Sequence, residues 1–174
     1  VWTQVFRGRC GVWVSSAALD VDWALPRPID MGRGNAVGAV QIAADPQGNA
    51  IAVWEHSDGE RFKIGVSRCM LGVGWSRART IDALNAGDAR SPQIAMDAQG
   101  NAIAVWQQRH DASRAVWTSR YAVGVGWGEP QPIPSGNAGD AFDPQIAVDA
   151  AGRAVVVWQQ LCGPRFAMCA NVYR

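Results

Sequence analysis

The chain states one phrase three times. DPQGNAIAVWEH at Asp45–His56, DAQGNAIAVWQQ at Asp97–Gln108 and DAAGRAVVVWQQ at Asp149–Gln160 stand 52 residues apart in strict register. The spacing reaches beyond the phrase. Trp2, Trp54, Trp106 and Trp158 keep it, as do Trp23, Trp75 and Trp127, and Ile29, Ile81 and Ile133. No insertion or deletion interrupts it anywhere in the 174 residues. A fixed period of about 50 residues marks a repeat architecture, in which each unit builds one element that cannot bury its faces without neighbours.

Each unit reads as four strands. In the third copy PQIAVD (Pro144–Asp149) is a short apolar run opened by proline, which is tolerated at a strand's first residue. The tetrapeptides DPQG, DAQG and DAAG suit a type I turn, and Gly48, Gly100 and Gly152 supply the positive φ of a bulged hairpin. The following run, AIAVW or AVVVW, is apolar throughout, as in a strand buried on both faces. After a polar loop, RAVWTSRY (Arg114–Tyr121) has the β-branched and aromatic content of a third strand. GVGW (Gly124–Trp127) turns the chain again. WGEPQPI (Trp127–Ile133) then carries prolines that confine it to a sheet edge.

The pattern predicts an all-β fold, a β-propeller of four-stranded blades, with about three and a third blades in the 174 residues at 52 residues each. Residues 1–174 form a single repeat domain: a partial blade at 1–38, blades at 39–90 and 91–142, and a partial blade at 143–174. A β-trefoil-like three-fold fold is the alternative. Residues 157–174 occupy the repeat positions of 1–18, so the two middle strands occur four times and the others three. That count disfavours three-fold closure. An incomplete ring exposes apolar blade faces and predicts self-association or continuation of a longer propeller.

Composition narrows the function classes. The net charge of +1 gives no footprint for nucleic acid or an anionic membrane surface. No stretch approaches the ~20 apolar residues of a membrane span. Val1 opens inside a repeat with no signal peptide ahead of it, as in a mature or trimmed chain. Cys10, Cys69, Cys162 and Cys169 share no repeat position; buried thiols and disulfides both remain open, and no spacing suggests zinc.

P-x-I-A-x-D-x-x-G-N-x-x-x-V, at Pro92–Val105 and nearly at Pro144–Val157, resembles the opening of NHL-type propeller blades. The unit ending in G-x-GW also resembles repeats of secreted bacterial proteins, which implies a secreted or cell-surface location. The G-x-GW turns at Gly72–Trp75 and Gly124–Trp127 are similar to a turn in fucose-binding propeller lectins. Those lectins place an arginine where Ala52, Ala104 and Val156 stand here, and a glutamate where Ser67 or Ser119 stands; the turn tryptophans alone carry over. Sialidase-type propellers carry S-x-D-x-G-x-x-W boxes. The D-x-x-G-N turn has a different spacing, and the sequence shows no arginine cluster of the kind that marks a sialic-acid carboxylate pocket.

The candidate ligand-binding residues form two groups. Trp23, Trp75 and Trp127 at or near glycine turns present rings that stack on the apolar face of a sugar, and Arg68 and Arg120 beside them supply charge-assisted hydrogen bonds. Glu55, Gln107 and Gln159 follow the strand tryptophan. Together with Gln4, Gln108, Gln160 and His56, they offer amides and a carboxylate to hydroxyl groups. Asp88 and Asp140, in the NAGDA loops, offer one carboxylate each, too few for a calcium site. His56 and His110 stand at non-equivalent positions, which argues against a shared metal or acid–base role. No nucleophile elbow or Cys–His pair is present, so neither catalytic residues nor a metal or cofactor are expected. Near-symmetry favours repeated weak sites over one catalytic centre. The expectation is therefore a chain that is not an enzyme: an extracellular module binding a glycan, lectin-like, through equivalent sites. The alternatives are a structural or protein-interaction propeller, and a sialidase- or lyase-like enzyme domain.

Overall fold

The computed structural model describes residues 1–6, 9–17, 22–30, 37–83, 87–110, 112–136 and 139–173. Among them the strands form four antiparallel sheets, taken in chain order. The first holds β1 (Trp2–Phe6), β2 (Arg9–Val14) and β3 (Arg27–Asp30). The second holds β4 (Val37–Ala44), β5 (Ala50–Ser57), β6 (Phe62–Met70), β7 (Gly74–Trp75) and β8 (Arg79–Thr80). The third holds β9 (Arg90–Met96), β10 (Ala102–His110), β11 (Ser113–Ala122), β12 (Gly126–Trp127) and β13 (Gln131–Pro132), and the fourth β14 (Ala141–Val148), β15 (Ala154–Cys162) and β16 (Arg165–Tyr173). Each sheet pairs its strands in sequence order, except that β8 pairs with β6 and β13 with β11. Strand hydrogen bonds stay within a repeat, and repeats meet through side chains. That is a stack of separate sheets, not the shared barrel of the trefoil-like alternative.

The apolar runs explain the stacking. Alternate residues of a strand point to opposite faces. In β10, Ala102, Ala104 and Trp106 pack against Ile51, Val53, Ile64 and Val66 of the second sheet. Ile103 and Val105 point the other way, onto Ala141, Val156 and Trp158 of the fourth. Trp54 and Trp106 are 0% exposed and Trp158 2%, so the repeated strand tryptophans are core.

The turn repeated in all three copies is held by its own side chains. Gly48, Gly100 and Gly152 have φ of 84°, 85° and 81°. Asp97 Oδ1 accepts from the Asn101 backbone N–H and Oδ2 from its side-chain amide, both at 2.9 Å. Asn101 Oδ1 then accepts from Val123 N–H at 3.1 Å, and Asn49 from Leu71 N–H at 3.2 Å. These bonds bring the D-x-x-G and G-x-GW turns of a repeat together at one end of its sheet.

The expected edge strand is broken into two short pieces in the second and third sheets. Ser67 and Ser119 each donate to the carbonyl at the break, Ser76 and Gly128, at 2.8 Å. The second repeat breaks there without any proline between residues 76 and 80, so this seryl clamp is common to both breaks while proline is not. Cys10, Cys69 and Cys169 are free thiols.

Candidate functional site

The two groups of candidate residues lie at opposite ends of the sheets. At the end away from the D-x-x-G and G-x-GW turns, Glu55 Oε1 accepts from Ser91 N–H at 2.6 Å and Gln107 Oε1 from Asp143 N–H at 3.1 Å. Ser91 and Asp143 begin a bulge in the inner strand of the following sheet and carry φ of 53° and 49°. Glu55 and Gln107 therefore staple one sheet to the next. Gln159, at the third such position, is exposed.

The neighbouring amides are also engaged. Gln108 Oε1 accepts from Trp106 Nε1 at 2.9 Å and from Ala83 N–H at 3.2 Å, and its Nε2 donates to Ala83 O and Gly87 O at 3.1 Å. Gln160 binds Trp158 Nε1 at 2.8 Å and donates to Gly139 O. Gln4 accepts from Trp2 Nε1 at 3.0 Å. In the second sheet His56 stands at the glutamine position, and Trp54 Nε1 turns to Asp30 at 3.1 Å. Burial holds the His56 imidazole below its usual value of 6.5, against the opposing pull of Asp30 and Asp82. Asp88 and Asp140 accept from Phe62 N–H at 2.8 Å and Arg114 N–H at 2.7 Å, capping the start of a strand. The His110 side chain, Ala36, and residues 85–86 and 137–138 of the NAGDA loops lie outside the described residues.

At the turn end the structure brings together residues of different repeats. A groove of about 590 Å³ runs between the second and third sheets. One wall carries Arg68, Arg77 and Arg79 with Ser67 and Ser76; the other carries Tyr121 and the Gly124–Trp127 turn. Arg68 Cζ lies 5.3 Å from the centre of the Tyr121 ring, and Tyr121 and Trp127 stand 5.6 Å apart, tilted by 59°. Arg79 reaches over the turn, its Nη2 3.7 Å from where a Cβ on Gly126 would lie. The left-handed glycine, φ 107°, thus gives the guanidinium room against the backbone. Among the described residues no carboxylate lines the groove. None of the three arginines forms an ion pair among the described residues. Their positive charge is therefore directed into the groove, between low-dielectric walls that concentrate its field.

This cluster occurs once. At the preceding gap the equivalent positions hold Ser16, Leu25 and Arg27, with Cys69 in place of Tyr121. Arg27 Nη2 repeats the contact over Gly74, at 3.5 Å from the Cβ position. At the following gap the positions hold Arg120, Glu129 and Gln131, and Arg120 Cζ stacks 3.6 Å over the Tyr173 ring. So Arg68 and Trp127 line one groove, and Arg120 lines a separate cleft of about 160 Å³. Trp75 packs, half-buried, on the cluster around Val12, Ala52 and Trp54, as Trp127 does on the cluster around Ile51 and Trp106, and Trp23 is 74% exposed. Arg77, Arg79 and Tyr121 were not among the residues singled out from the sequence. Their signal was present: SRART in the second repeat replaces the proline-bearing segments ALPRP and GEPQP of its sisters.

No family model matches the chain, and no curated protein sequence matches it. Solved structures do. A Hadza microbial sialidase is similar over 81% of this chain and 36% of its own, with 16% identity and a TM-score of 0.58. The endo-arabinase of Bacteroides thetaiotaomicron is similar over 98% of this chain and 72% of its own, with 13% identity and a TM-score of 0.51. A mutant NanB sialidase of Streptococcus pneumoniae is similar over 99% of this chain and 28% of its own, with 11% identity and a TM-score of 0.55. The chain spans about a third of the length of these sialidases. These likenesses overturn the expectation of a chain that is not an enzyme. The solved structures it resembles are sialidases and an arabinase, and the near-symmetry behind that expectation fails at the arginine groove. At these identities the likeness establishes the fold: an all-β, propeller-like stack of sheets.

Proposed function

We propose that this chain is part of a carbohydrate-active, glycan-hydrolysing propeller, and that it captures a carboxylated sugar in the groove between its second and third sheets. The observation that carries this reading is the single cluster of Arg68, Arg77 and Arg79 facing Tyr121 and Trp127. Guanidinium groups bind carboxylates through paired, charge-assisted hydrogen bonds. Trp127 offers its ring to the C–H face of the sugar, and Ser76 its hydroxyl to the sugar's own. Glycoside hydrolysis uses a pair of carboxylates. None lines this groove, so its residues bind and orient substrate, and the enzymatic reading concerns the propeller as a whole. A secreted or cell-surface location accords with a glycan substrate.

The test is a fluorescence titration of the chain with free sialic acid and galacturonic acid, with galactose as neutral control. The acids are expected to perturb tryptophan emission saturably and galactose is not. Losing one guanidinium–carboxylate contact costs about 2 kcal/mol, roughly thirtyfold in affinity. Arg79→Ala, at an exposed position, is expected to show that loss with an unchanged melting temperature. Equal response to acid and neutral sugars, or an Arg79→Ala variant that binds as well as the parent, refutes the reading.

A further inference from the structure

The sheets follow one docking rule. Ile51 and Val53 of β5 face the third sheet, and Ile103 and Val105 of β10 face the fourth. Each contact is closed by the residue after the strand tryptophan, Glu55 or Gln107, which accepts an N–H from the left-handed bulge residue Ser91 or Asp143. The fourth sheet presents the same face a third time. Val155, Gln159 and Leu161 of β15 stand opposite Val172, Met168 and Phe166 of β16. Val155 is 44% exposed, Val172 54%, Phe166 63% and Met168 70%. The equivalents of Val155 and Met168 in the second repeat, Ile51 and Ile64, are buried; in the third repeat Val116 is buried and Ile103 half-buried.

We propose that this face docks a further sheet of the same 52-residue repeat, joined in tandem, whose inner strand donates a bulge N–H to Gln159 Oε1. Continuity with two existing interfaces names the occupant: an apolar inner strand of the P-x-I-A type with a left-handed residue just before the proline, as Ser91 precedes Pro92. A second copy of these residues fits less well. Its inner strands β4, β9 and β14 already pack on preceding sheets, and its first sheet, ordered β1-β2-β3, has no inner strand to offer.

The test appends one more unit, a duplicate of residues 123–174 placed directly after residue 174, which preserves the register. The extended chain is expected to melt several degrees higher and to bind less of a hydrophobic dye. Gln159→Ala is expected to be silent in the 174-residue chain and to lower the extended chain's melting temperature by about 3 °C, the same loss expected of Gln107→Ala in the parent. An extended chain that melts no higher, or one in which Gln159→Ala stays silent, overturns the proposal. So does a 174-residue chain that dimerises at micromolar concentration and is made monomeric by Met168→Glu, because a second copy would then own the face.

Discussion

Replacing Gln108 with leucine keeps the side chain's bulk and removes all its hydrogen bonds. Gln108 is 0% exposed and serves Trp106 Nε1, Ala83 N–H, Ala83 O and Gly87 O. Gly87 is half-buried, so its carbonyl can turn to water. The other three groups stay in the interior. An orphaned buried polar group costs about 1–3 kcal/mol, and the leucine recovers about 1 kcal/mol by burying an apolar side chain. The expected net loss is about 3 kcal/mol, a large share of the ~5–15 kcal/mol that holds a domain folded. Gly139 is half-buried like Gly87, so Gln160→Leu leaves only Trp158 Nε1 orphaned in the interior, and a loss of about 1 kcal/mol or less is expected. Guanidinium unfolding followed by circular dichroism measures both. Adding Trp106→Phe to Gln108→Leu removes one orphaned donor and should show a coupling of about 1 kcal/mol in a double-mutant cycle. A Gln108→Leu chain within about 0.5 kcal/mol of the parent would show that the amide is not the structural tie described here.

His56 should make stability depend on pH. Its folded-state pKa lies below 6.5, so under acid the unfolded chain binds a proton that the folded chain refuses. Stability is expected to fall as pH drops through about 6.5, and His56→Gln, which restores the residue found at Gln108 and Gln160, should flatten that slope between about pH 7 and 5.5 in thermal melts. Gly65→Ala is expected to destabilise by about 1–3 kcal/mol in denaturant titrations, because its Cβ would fall 2.5 Å from the Trp54 indole, although the sister positions hold Trp13, Trp117 and Cys169. Asp97→Ala breaks the bonds to Gln99, Asn101 and the Asn101 amide, and should cost about 1–2 kcal/mol and speed hydrogen exchange in the turn.

The sequence by itself determined the repeat and the sheet each copy builds. The turn glycines at positions 48, 100 and 152, the apolar strands and the buried strand tryptophans all follow from signals closed within one unit. Strand alternation and turn geometry are local, so a period of 52 residues records them faithfully. What lies between units was decided by the tertiary structure. Sequence comparison places Arg68 with Arg120 and Trp75 with Trp127, because it aligns equivalents. Stacking instead sets Arg68 of one repeat against Tyr121 and Trp127 of the next, and gathers Arg77 and Arg79 beside them. Glu55 and Gln107 look like residues offered to a ligand, yet each meets a backbone N–H 36 residues further on. A contact made by packing two sheets depends on which face of each is turned to the other. No residue-by-residue pattern within a repeat encodes that pairing until the sheets are stacked.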